Sequence, residues 1–386
     1  MQCKSVYEPR EDSNMLETSV RKHAFGRVLD IGTGSGVQAI AAAQSKKVTS
    51  VLATDIQKGV IGYCKECIQN DKIDFLQSNL FEKIKGKFDT IIFNPPYLPQ
   101  ELKLKDLTLD GGKKGYEVIE RFLDDVDQFL NADGIILLVF SSLTKKEKVE
   151  EFIKNSLLDF QELEKMHIFF EDIYVYLLKK SEFLKGLEKK NISKVKYFTK
   201  GHRGFLYTGM LNNKKIMIKT KNPRSASFGR IENESKWLKE LNKHGIGPKL
   251  IYTGKAYFIY HFIEGYFIID YIRKSSKTDI KKILKNVLLQ SYTLDKLKID
   301  KEEMHHPLKH IIIDRKNPYL IDFERTNYSI HPKNVTQFCQ FLMSSQLNSI
   351  LRNKNMSIDK NRLIELAKVY KKHQNKAALQ KIIGLI

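Results

Sequence analysis

One asparagine, Asn94, lies between an apolar run and two prolines in the segment IIFNPPYLP, residues 91–99. Pro95 and Pro96 have fixed φ angles and no N–H donors, so the carbonyl groups of this turn are held in place. Amide and aromatic NH2 groups are poor nucleophiles because their lone pair is delocalised. Asn94 Oδ1 and the Pro95 carbonyl can accept both N–H groups and draw such a nitrogen toward tetrahedral geometry. The segment predicts methyl transfer to a planar nitrogen on which Tyr97 stacks; the alternative is a strand that ends in a Pro-Pro turn with a capping asparagine.

A glycine-rich segment, GRVLDIGTGSGVQAIAAAQ at residues 26–44, gives the second chemical signal. Gly32, Gly34 and Gly36 let the backbone approach a ligand and adopt φ values that other residues resist. The helix that follows favours an anionic group at its N-terminus. Dinucleotide sites have the spacing G-x-G-x-x-G, whereas the shorter G-x-G-x-G found here favours S-adenosylmethionine over NAD.

Two aspartates end the strands beside this loop. Asp30 ends the first strand and is suited to orient the amino-carboxypropyl end of S-adenosylmethionine through the loop. Asp55 ends a second apolar strand, VTSVLATD, 23 residues after Gly32. An acidic residue at that distance is placed to bind the ribose hydroxyls of an adenosine-containing cofactor.

Apolar strands alternate with helical stretches through residues 26–180. This alternation predicts a doubly wound α/β sheet with parallel strands, in which the functional site lies at the carboxyl ends of the strands. Gly32, Asp55, Asn79 and Asn94 all fall at such ends. Their expected co-location strengthens each separate signal.

Three segments together resemble the HemK/PrmC-type protein-glutamine N5-methyltransferases, especially their archaeal and eukaryotic release-factor branch. They are VYEPREDSNML (6–16), FNPPYLP (93–99) and LDGGKKGYEVIERFL (109–123). The resemblance covers nearly all of residues 1–180 and implies a Rossmann-like seven-stranded class I methyltransferase domain over 1–182, with EDIYVYLLKK as its final hairpin strand. It implies S-adenosylmethionine as cofactor, beside Tyr7, Ser13, Asn79 and Leu80.

The same resemblance implies a substrate. It is a glutamine side chain, typically in the Gly-Gly-Gln loop of a class-I translation release factor. Some relatives need a small zinc-binding activator protein, and the sequence leaves open whether this chain does. Asn79 stands where many relatives have aspartate; its amide oxygen can still accept a hydrogen bond from adenine, without the charge. The alternative function is adenine-N6 methylation of DNA or RNA, which uses the same tetrapeptide but usually needs an extra recognition element.

After a Lys-rich connector at 183–194, residues 195–386 follow a different pattern. Residues 195–221 predict antiparallel strands joined by a glycine turn and an Asn-Asn turn. Lys219 in a strand, Glu234 in a helix and Asp322 after a strand then follow in an order that resembles small atypical kinases of the RIO/Bud32 kind. The resemblance implies a small α+β protein-kinase-like domain that binds Mg-ATP, with Asp322 on the Mg²⁺. Its phosphate-covering turn would contain Gly201 and Gly204.

The catalytic loop of this second half departs from the resemblance. Counting back from Asp322 puts the catalytic aspartate at 305 and the metal-binding asparagine at 310, where KEEMHHPLKH has His305 and His310. An imidazole can take up a proton but does not supply the charge of a carboxylate. Glu302 or Glu303 can replace it; otherwise this half is a kinase-fold module that binds nucleotide, RNA or the ribosome without phosphoryl transfer.

Charge also separates the halves. Residues 1–180 contain 25 basic and 28 acidic residues, whereas 181–386 contain 41 and 17. The second half can therefore contact a polyanion such as RNA. Four scattered cysteines, no apolar run of membrane-spanning length and no signal peptide predict a cytoplasmic protein. Cys64 and Cys67 form a C-x-x-C without a second ligand pair, which argues against a structural zinc site.

Overall fold

The computed structural model describes residues 9–96, 114–168, 170–200, 204–221 and 230–386. The chain forms two compact units, Met1–Tyr197 with Met210–Asn212, and Phe198–Gly209 with Asn213–Ile386. No helix within the described ranges is both long and apolar enough to cross a membrane.

The first unit alternates helices and strands, as the sequence pattern predicts. Its helices are α1 (Glu11–His23), α2 (Val37–Ala43), α3 (Lys58–Cys67), α4 (Glu117–Asp125), α5 (Lys146–Asn155) and α6 (Glu182–Glu188). Its strands are β1 (Gly26–Ile31), β2 (Val48–Asp55), β3 (Ile73–Gln77), β4 (Phe88–Phe93), β5 (Leu130–Ser141), β6 (Leu158–Ile168) and β7 (Glu171–Lys180).

These strands form one seven-stranded sheet with the order β3-β2-β1-β4-β5-β7-β6. Along the sheet, the adjacent strands β3, β2, β1, β4 and β5 are parallel to one another, while β7 is antiparallel to both β5 and β6. The predicted seven-stranded α/β sheet and its final hairpin are therefore confirmed, and the parallel pairing holds for β1 to β5. The central strands are apolar on both faces because helices cover both sides of such a sheet.

The register of the central strands brings three chain segments to one edge. Ile31, at the end of β1, pairs with Thr54 of β2 and with Phe93 of β4. The residues that follow these strands therefore emerge side by side at the carboxyl edge. The apolar residues that fix this register, such as Leu29 and Ile91, are fully buried.

The second unit has different architecture. Its elements, with β8 crossing the boundary along the chain, are β8 (Ser193–Lys200), β9 (Gly204–Leu211), β10 (Lys214–Lys221), α7 (Arg230–Asn242), β11 (Leu250–Thr253), β12 (Tyr257–His261), β13 (Tyr266–Phe267), α8 (Ile268–Lys274), α9 (Lys277–Lys296), β14 (Ile299–Asp300), β15 (Ile311–Asp314), β16 (Asn317–Leu320), β17 (Asn327–Tyr328), α10 (Asn334–Leu342), α11 (Ser345–Arg352), α12 (Lys360–His373) and α13 (Lys376–Ile383).

A five-stranded sheet with the order β11-β12-β10-β9-β8 opens this unit. Asn212 and Asn213 join β9 to β10 with φ values of 49° and 59°, as a two-residue hairpin turn requires. The predicted Asn-Asn turn is confirmed. The later helices and strands share one apolar core, to which the long helix α9 contributes Ile283, Leu284 and Val287.

Candidate active site

A cavity of about 430 Å³ lies at the carboxyl ends of the central strands of the first unit. It contains every predicted methyltransferase-site residue that the structure describes, except Gly36. These residues are Ser13, Asp30, Gly32, Gly34, Asp55, Asn79, Leu80, Asn94, Pro95 and Pro96. Tyr7 and Tyr97 lie outside the described residues. The sheet topology, not sequence proximity, brings these positions together.

The loop between β1 and α2 turns through left-handed conformations. Gly32, Gly34 and Gly36 have φ values of 69°, 53° and 83°, which glycine adopts without a Cβ penalty. The Gly34 N–H donates to Asp55 Oδ2 at 3.2 Å and ties the loop to the end of β2. Gly36 lies outside the cavity lining; a Cβ there would clash with Ile68 Cδ1, so its small size serves packing behind the loop.

Asp30 and Asp55 make the loop end of the cavity acidic. Asp30 is buried and accepts a hydrogen bond from Thr33 Oγ1 at 2.6 Å. Burial raises the pKa of Asp30 to about 7; the Thr33 hydrogen bond opposes this shift and the charge of Asp55 adds to it. Burial also raises the pKa of Asp55, against backbone hydrogen bonds from Gln57 and Gly34. A cation bound beside these carboxylates would offset the cost of burying them.

Asn79 and Leu80 follow β3. Asn79 Nδ2 donates to Glu82 Oε1 at 2.8 Å, and Arg121 Nη2 donates to Asn79 Oδ1 at 3.4 Å. A carbonyl oxygen has two lone pairs, so Asn79 Oδ1 retains one for a ligand. Leu80 has a φ of 46°, a costly conformation for a non-glycine residue that is more frequent at ligand sites than elsewhere.

Asn94 stands directly after β4 with its amide partly satisfied. Its Nδ2 donates to Asp12 Oδ2 at 3.0 Å and lies 3.4 Å from Ser13 Oγ. Its Oδ1 is buried and has no hydrogen-bond partner within the described residues. The nitrogen end of the side chain is therefore fixed, while its acceptor end is enclosed without a hydrogen bond from the described residues.

Among the lining residues that the sequence did not single out, Asp12 and Gln38 contact other groups of the cavity. Asp12, in the first turn of α1, contacts Asn94 from 82 positions away in the chain. Gln38, in the first turn of α2, donates through Nε2 to the Ser13 carbonyl at 2.8 Å. The resemblance points to the segment around Asp12, but no periodicity in the sequence shows that α1 places its first turn at the end of β4.

Cys64 and Cys67 behave as separate thiols. Cys64 is buried and Cys67 exposed, and Cys64 Sγ donates to the Gly34 carbonyl at 3.3 Å. Burial raises the pKa of Cys64 to about 12. Across the described ranges, no group of three or more His, Cys, Asp or Glu side chains is arranged to hold a metal ion.

In the second unit, Lys219, Glu234 and Asp322 lie together. Lys219 Nζ is 2.5 Å from Glu234 Oε2 and 3.7 Å from Asp322 Oδ1. Burial opposes the charge of Lys219, but Glu234 and Asp322 raise its pKa. The Lys219 ammonium is thus a partly buried cation whose charge is stabilised by two carboxylates. Gly201 lies outside the described residues, and Gly204 starts β9, where a Cβ would clash with the Thr220 carbonyl.

The two histidines at the positions expected for the catalytic loop have different surroundings. His310 Nδ1 is 3.9 Å from Asp322 Oδ2, and His310 Nε2 is 3.1 Å from Glu303 Oε2. His305, at the expected position of the catalytic base, packs against His306, with ring centroids 4.6 Å apart and the ring planes tilted by 50°. Of the two glutamates considered as substitutes, Glu303 is the one that contacts His310, whose Nδ1 makes no hydrogen bond within the described residues.

Lys301 is a further residue that the sequence did not indicate. Its side chain is buried, and Nζ donates to the Asp322 carbonyl at 2.9 Å. Burial lowers the pKa of Lys301 to about 8, against the charges of Asp322 and Glu303. A cation therefore lies on each side of Asp322.

Comparison with known proteins concerns the first unit. Residues 8–170 match the family model of the methyltransferase small domain. A putative protein N5-glutamine methyltransferase of Methanocaldococcus jannaschii is 38% identical over 154 residues, 38% of this chain and 78% of that protein. A release factor glutamine methyltransferase of Rhodopirellula baltica is 36% identical over 164 residues, 36% of this chain and 55% of that protein.

A ribosomal protein uL3 glutamine methyltransferase of Bordetella pertussis is 34% identical over 126 residues, 29% of this chain and 42% of that protein. The chain thus spans about half the length of the release factor and uL3 relatives, and more than two thirds of the archaeal one. Through its first unit, the chain belongs to the family of S-adenosylmethionine-dependent protein N5-glutamine methyltransferases.

Proposed function

We propose that the chain methylates a glutamine side-chain nitrogen in the Gly-Gly-Gln loop of a class-I translation release factor. The observation that carries this proposal is the buried Oδ1 of Asn94, which has no partner within the described residues. A buried acceptor without a donor costs about 1–3 kcal/mol. A substrate N–H at this position would remove that cost and orient the nitrogen toward the cofactor.

The cavity suits S-adenosylmethionine, which supplies an electrophilic methyl group on a sulfonium when bound. Asp55 would accept hydrogen bonds from the ribose hydroxyls, and Asn79 and Leu80 would flank the adenine. Ser13 and Asp30 would face the amino-carboxypropyl end. The raised pKa values of Asp30 and Asp55 support a cationic ligand at this end, because its charge would favour the ionised carboxylates.

The residues after β4 would activate the acceptor. Asn94 Oδ1 and the Pro95 carbonyl would accept the two N–H groups of the substrate amide, which reduces delocalisation of its lone pair. Pro95 and Pro96 keep this turn rigid, so the acceptors need no reorganisation as charge develops. Transfer would exchange the C–S bond of the sulfonium for the new N–C bond and leave a thioether, and the nitrogen would release one proton to solvent.

Two observations favour glutamine over adenine as the acceptor. The relatives named above carry glutamine methyltransferase in their names, for a release factor in one case and ribosomal protein uL3 in another. Residues 1–180 are also slightly acidic, with 25 basic and 28 acidic residues, which disfavours a polyanionic substrate. Adenine-N6 methylation of DNA or RNA remains the alternative that the test includes.

The first test uses the full chain with methyl-labelled S-adenosylmethionine and three acceptors: a class-I release factor, the same factor with Gly-Gly-Asn in its loop, and adenine-containing RNA. We expect label only in the unchanged factor. Asn94→Ala should lower the rate by about 100- to 1000-fold, as expected for loss of one oriented group, with cofactor affinity retained. Label in RNA alone would make adenine methylation the supported function and would contradict glutamine methylation.

A small zinc-binding activator protein is part of the same proposal. The release factor assay is run with and without such a protein. A rate that rises only in its presence would support an activator, and an equal rate in both would show that this chain needs none.

For the second unit, we propose a small α+β kinase-like domain over 195–386 that binds Mg-ATP, joined by a connector at 183–194 to the methyltransferase domain at 1–182. The buried Lys219–Glu234 pair beside Asp322 supports this. Asp322 also has a φ of 62°, a strained conformation of the kind concentrated at functional sites. Lys219 would contact phosphates and Asp322 would hold Mg²⁺.

Calorimetric titration of the full chain with ATP tests this second proposal, with and without Mg²⁺. Asp322→Ala should abolish Mg²⁺-dependent binding and leave methyl transfer unchanged. Asp270→Ala, which removes an exposed carboxylate from α8, is the matched control and should bind as the wild type does. Unchanged ATP binding in Asp322→Ala would refute the assignment.

Polyanion contact, with RNA or the ribosome, is proposed for the same basic half. A cavity of about 1030 Å³ is formed by α7, β11 and the loop between them. Its lining includes four lysines, Lys236, Lys239, Lys243 and Lys249. All four side chains belong to exposed residues. This lysine face supports an electrostatic, sequence-independent contact rather than recognition of bases.

A further inference from the structure

The proposed role of Asn94 depends on which end of its amide faces the substrate. The oxygen and the NH2 group occupy similar volumes, so packing alone does not select between the two orientations. An NH2 group in place of Oδ1 would meet the substrate N–H with another donor and could not hold it. Methyl transfer therefore requires a neighbour that distinguishes the two ends chemically.

Asp12 is such a neighbour. Its Oδ2 accepts a hydrogen bond from Asn94 Nδ2 at 3.0 Å, and the residue is 4% exposed. A carboxylate offers only acceptors, so the reversed amide would place two acceptor oxygens in contact without water to separate them. We propose that Asp12 locks the amide of Asn94 with its oxygen toward the methyl acceptor, and that this contact polarises the amide and strengthens the oxygen as an acceptor.

A second amide in the same cavity is held in the same way. Gln38 is 4% exposed, and its Nε2 donates to the Ser13 carbonyl at 2.8 Å. Its Oε1, like Asn94 Oδ1, is buried and has no hydrogen-bond partner within the described residues. The first turn of α1 thus takes the NH2 ends of both amides, while both oxygens are enclosed without a donor from the described residues.

Asp12 is a positioning residue in this inference, because it acts through Asn94 and not on the substrate. The inference rests on the proposed role of Asn94 as acceptor, and it applies to a glutamine amide and to an adenine amine alike. The acceptor in the test is therefore whichever substrate the wild-type chain methylates. Asp12→Asn is the informative variant, since it keeps the shape and removes the charge.

Glu11→Gln is the matched control. Glu11 is an exposed carboxylate in the same first turn of α1, so its loss changes the charge at this helix end without touching Asn94. We expect Asp12→Asn to lower kcat by about 10- to 100-fold, as for loss of one charged hydrogen bond. The Kd for S-adenosylmethionine should stay close to that of the wild type, and Glu11→Gln should retain kcat. An unchanged kcat in Asp12→Asn would overturn the inference.

A spectroscopic readout separates this result from a structural effect and from failure of the proposed function. The side-chain NH2 resonances of Asn94 are assigned by their absence in Asn94→Ala. In wild type and Glu11→Gln, a hydrogen bond to a carboxylate should shift them and slow their exchange with solvent. In Asp12→Asn the acceptor is an uncharged amide that can face either way, so both effects should be reduced. Resonances that do not change in Asp12→Asn would overturn the inference even if no acceptor were methylated.

Discussion

At the scale of single residues, burial has opposite consequences for Asp30 and Lys219. Lys219 is partly buried beside two carboxylates, and its charge is stabilised. Asp30 is buried next to another acidic residue, Asp55, and its pKa rises to about 7. Within the described part of the first unit, Asp30 therefore lacks a cation that would balance it. This imbalance predicts a measurable dependence of stability on pH.

Asp30→Asn tests that dependence in the cofactor-free protein. Because the pKa of Asp30 is about 7 in the folded state and 3.8 as its ordinary value, the folded state retains a proton that the unfolded state has released between these pH values. Stability from this group is fully present near pH 4 and is lost as pH rises to 7. As pH rises over this range, the free energy of unfolding of Asp30→Asn should increase relative to that of wild type by up to about 4 kcal/mol.

Calorimetry at pH 5 and pH 8 measures the part of this difference that falls between those values, about 2–3 kcal/mol, in the transition that shifts when S-adenosylmethionine is added. Asp159→Asn, at an exposed aspartate, is the control and should follow the wild type at both pH values. S-adenosylmethionine should stabilise the wild type more than Asp30→Asn at pH 8. Parallel pH curves for wild type and Asp30→Asn would contradict the prediction.

The sequence identified residues that act through their own chemistry better than those that act through a neighbour. Asn94, Asp55 and the glycine loop stand out because prolines, strand ends and spacing mark them. Asp12 and Gln38 do not, since an aspartate near a helix start is an ordinary N-terminal residue. Their roles depend on a contact across 82 positions in one case and 25 in the other, which only the packing of α1 on the sheet determines.

At the scale of elements, the strands β1, β2 and β4 could be predicted directly from the sequence, because buried parallel strands are continuous apolar runs. The surroundings of His305 could not be predicted in this way. Counting from Asp322 assumes a fixed loop length, whereas the short turns between β14 and β15 include Glu303 at a φ of 75°. The chain therefore places Glu303 and His310 near Asp322, and directs His305 elsewhere.

Gly36 tests the packing of the loop before α2. Its φ is 83°, and a Cβ would clash with Ile68 Cδ1. We expect Gly36→Ala to destabilise the first unit by roughly 1–3 kcal/mol, from the left-handed backbone and the displaced side chain. Chemical denaturation, followed by circular dichroism with and without S-adenosylmethionine, measures the loss.

Gly62→Ala is the matched control for this glycine. Gly62 lies in α3 with nothing within 4 Å of an added Cβ. Alanine there should stabilise the protein by about 0.5–1 kcal/mol, since it lowers the entropy of the unfolded chain. A loss of equal size in both variants would show that the strain at Gly36 is not the cause.

At the scale of the whole molecule, two units of opposite charge balance lie on one chain. The change of composition near residue 180 was readable from the sequence, because 41 of the 66 basic residues follow it. The binding partner of these basic residues could not be predicted from the sequence, since scattered lysines can serve solubility as readily as they bind a polyanion. The structure adds one discriminating feature, the lysine face of α7 and β11.

The salt dependence of RNA binding tests that face in the full chain. If Lys236, Lys239 and Lys243 each neutralise a phosphate, their joint replacement by glutamine should reduce the slope of log affinity against log salt by about 2–3. Replacement of three exposed lysines of the first unit, Lys46, Lys47 and Lys83, changes the net charge equally and should leave the slope almost unchanged. An equal reduction of the slope in both variants would mean that RNA binding depends on net charge alone. The lysine face of α7 and β11 would then have no specific role as a docking surface.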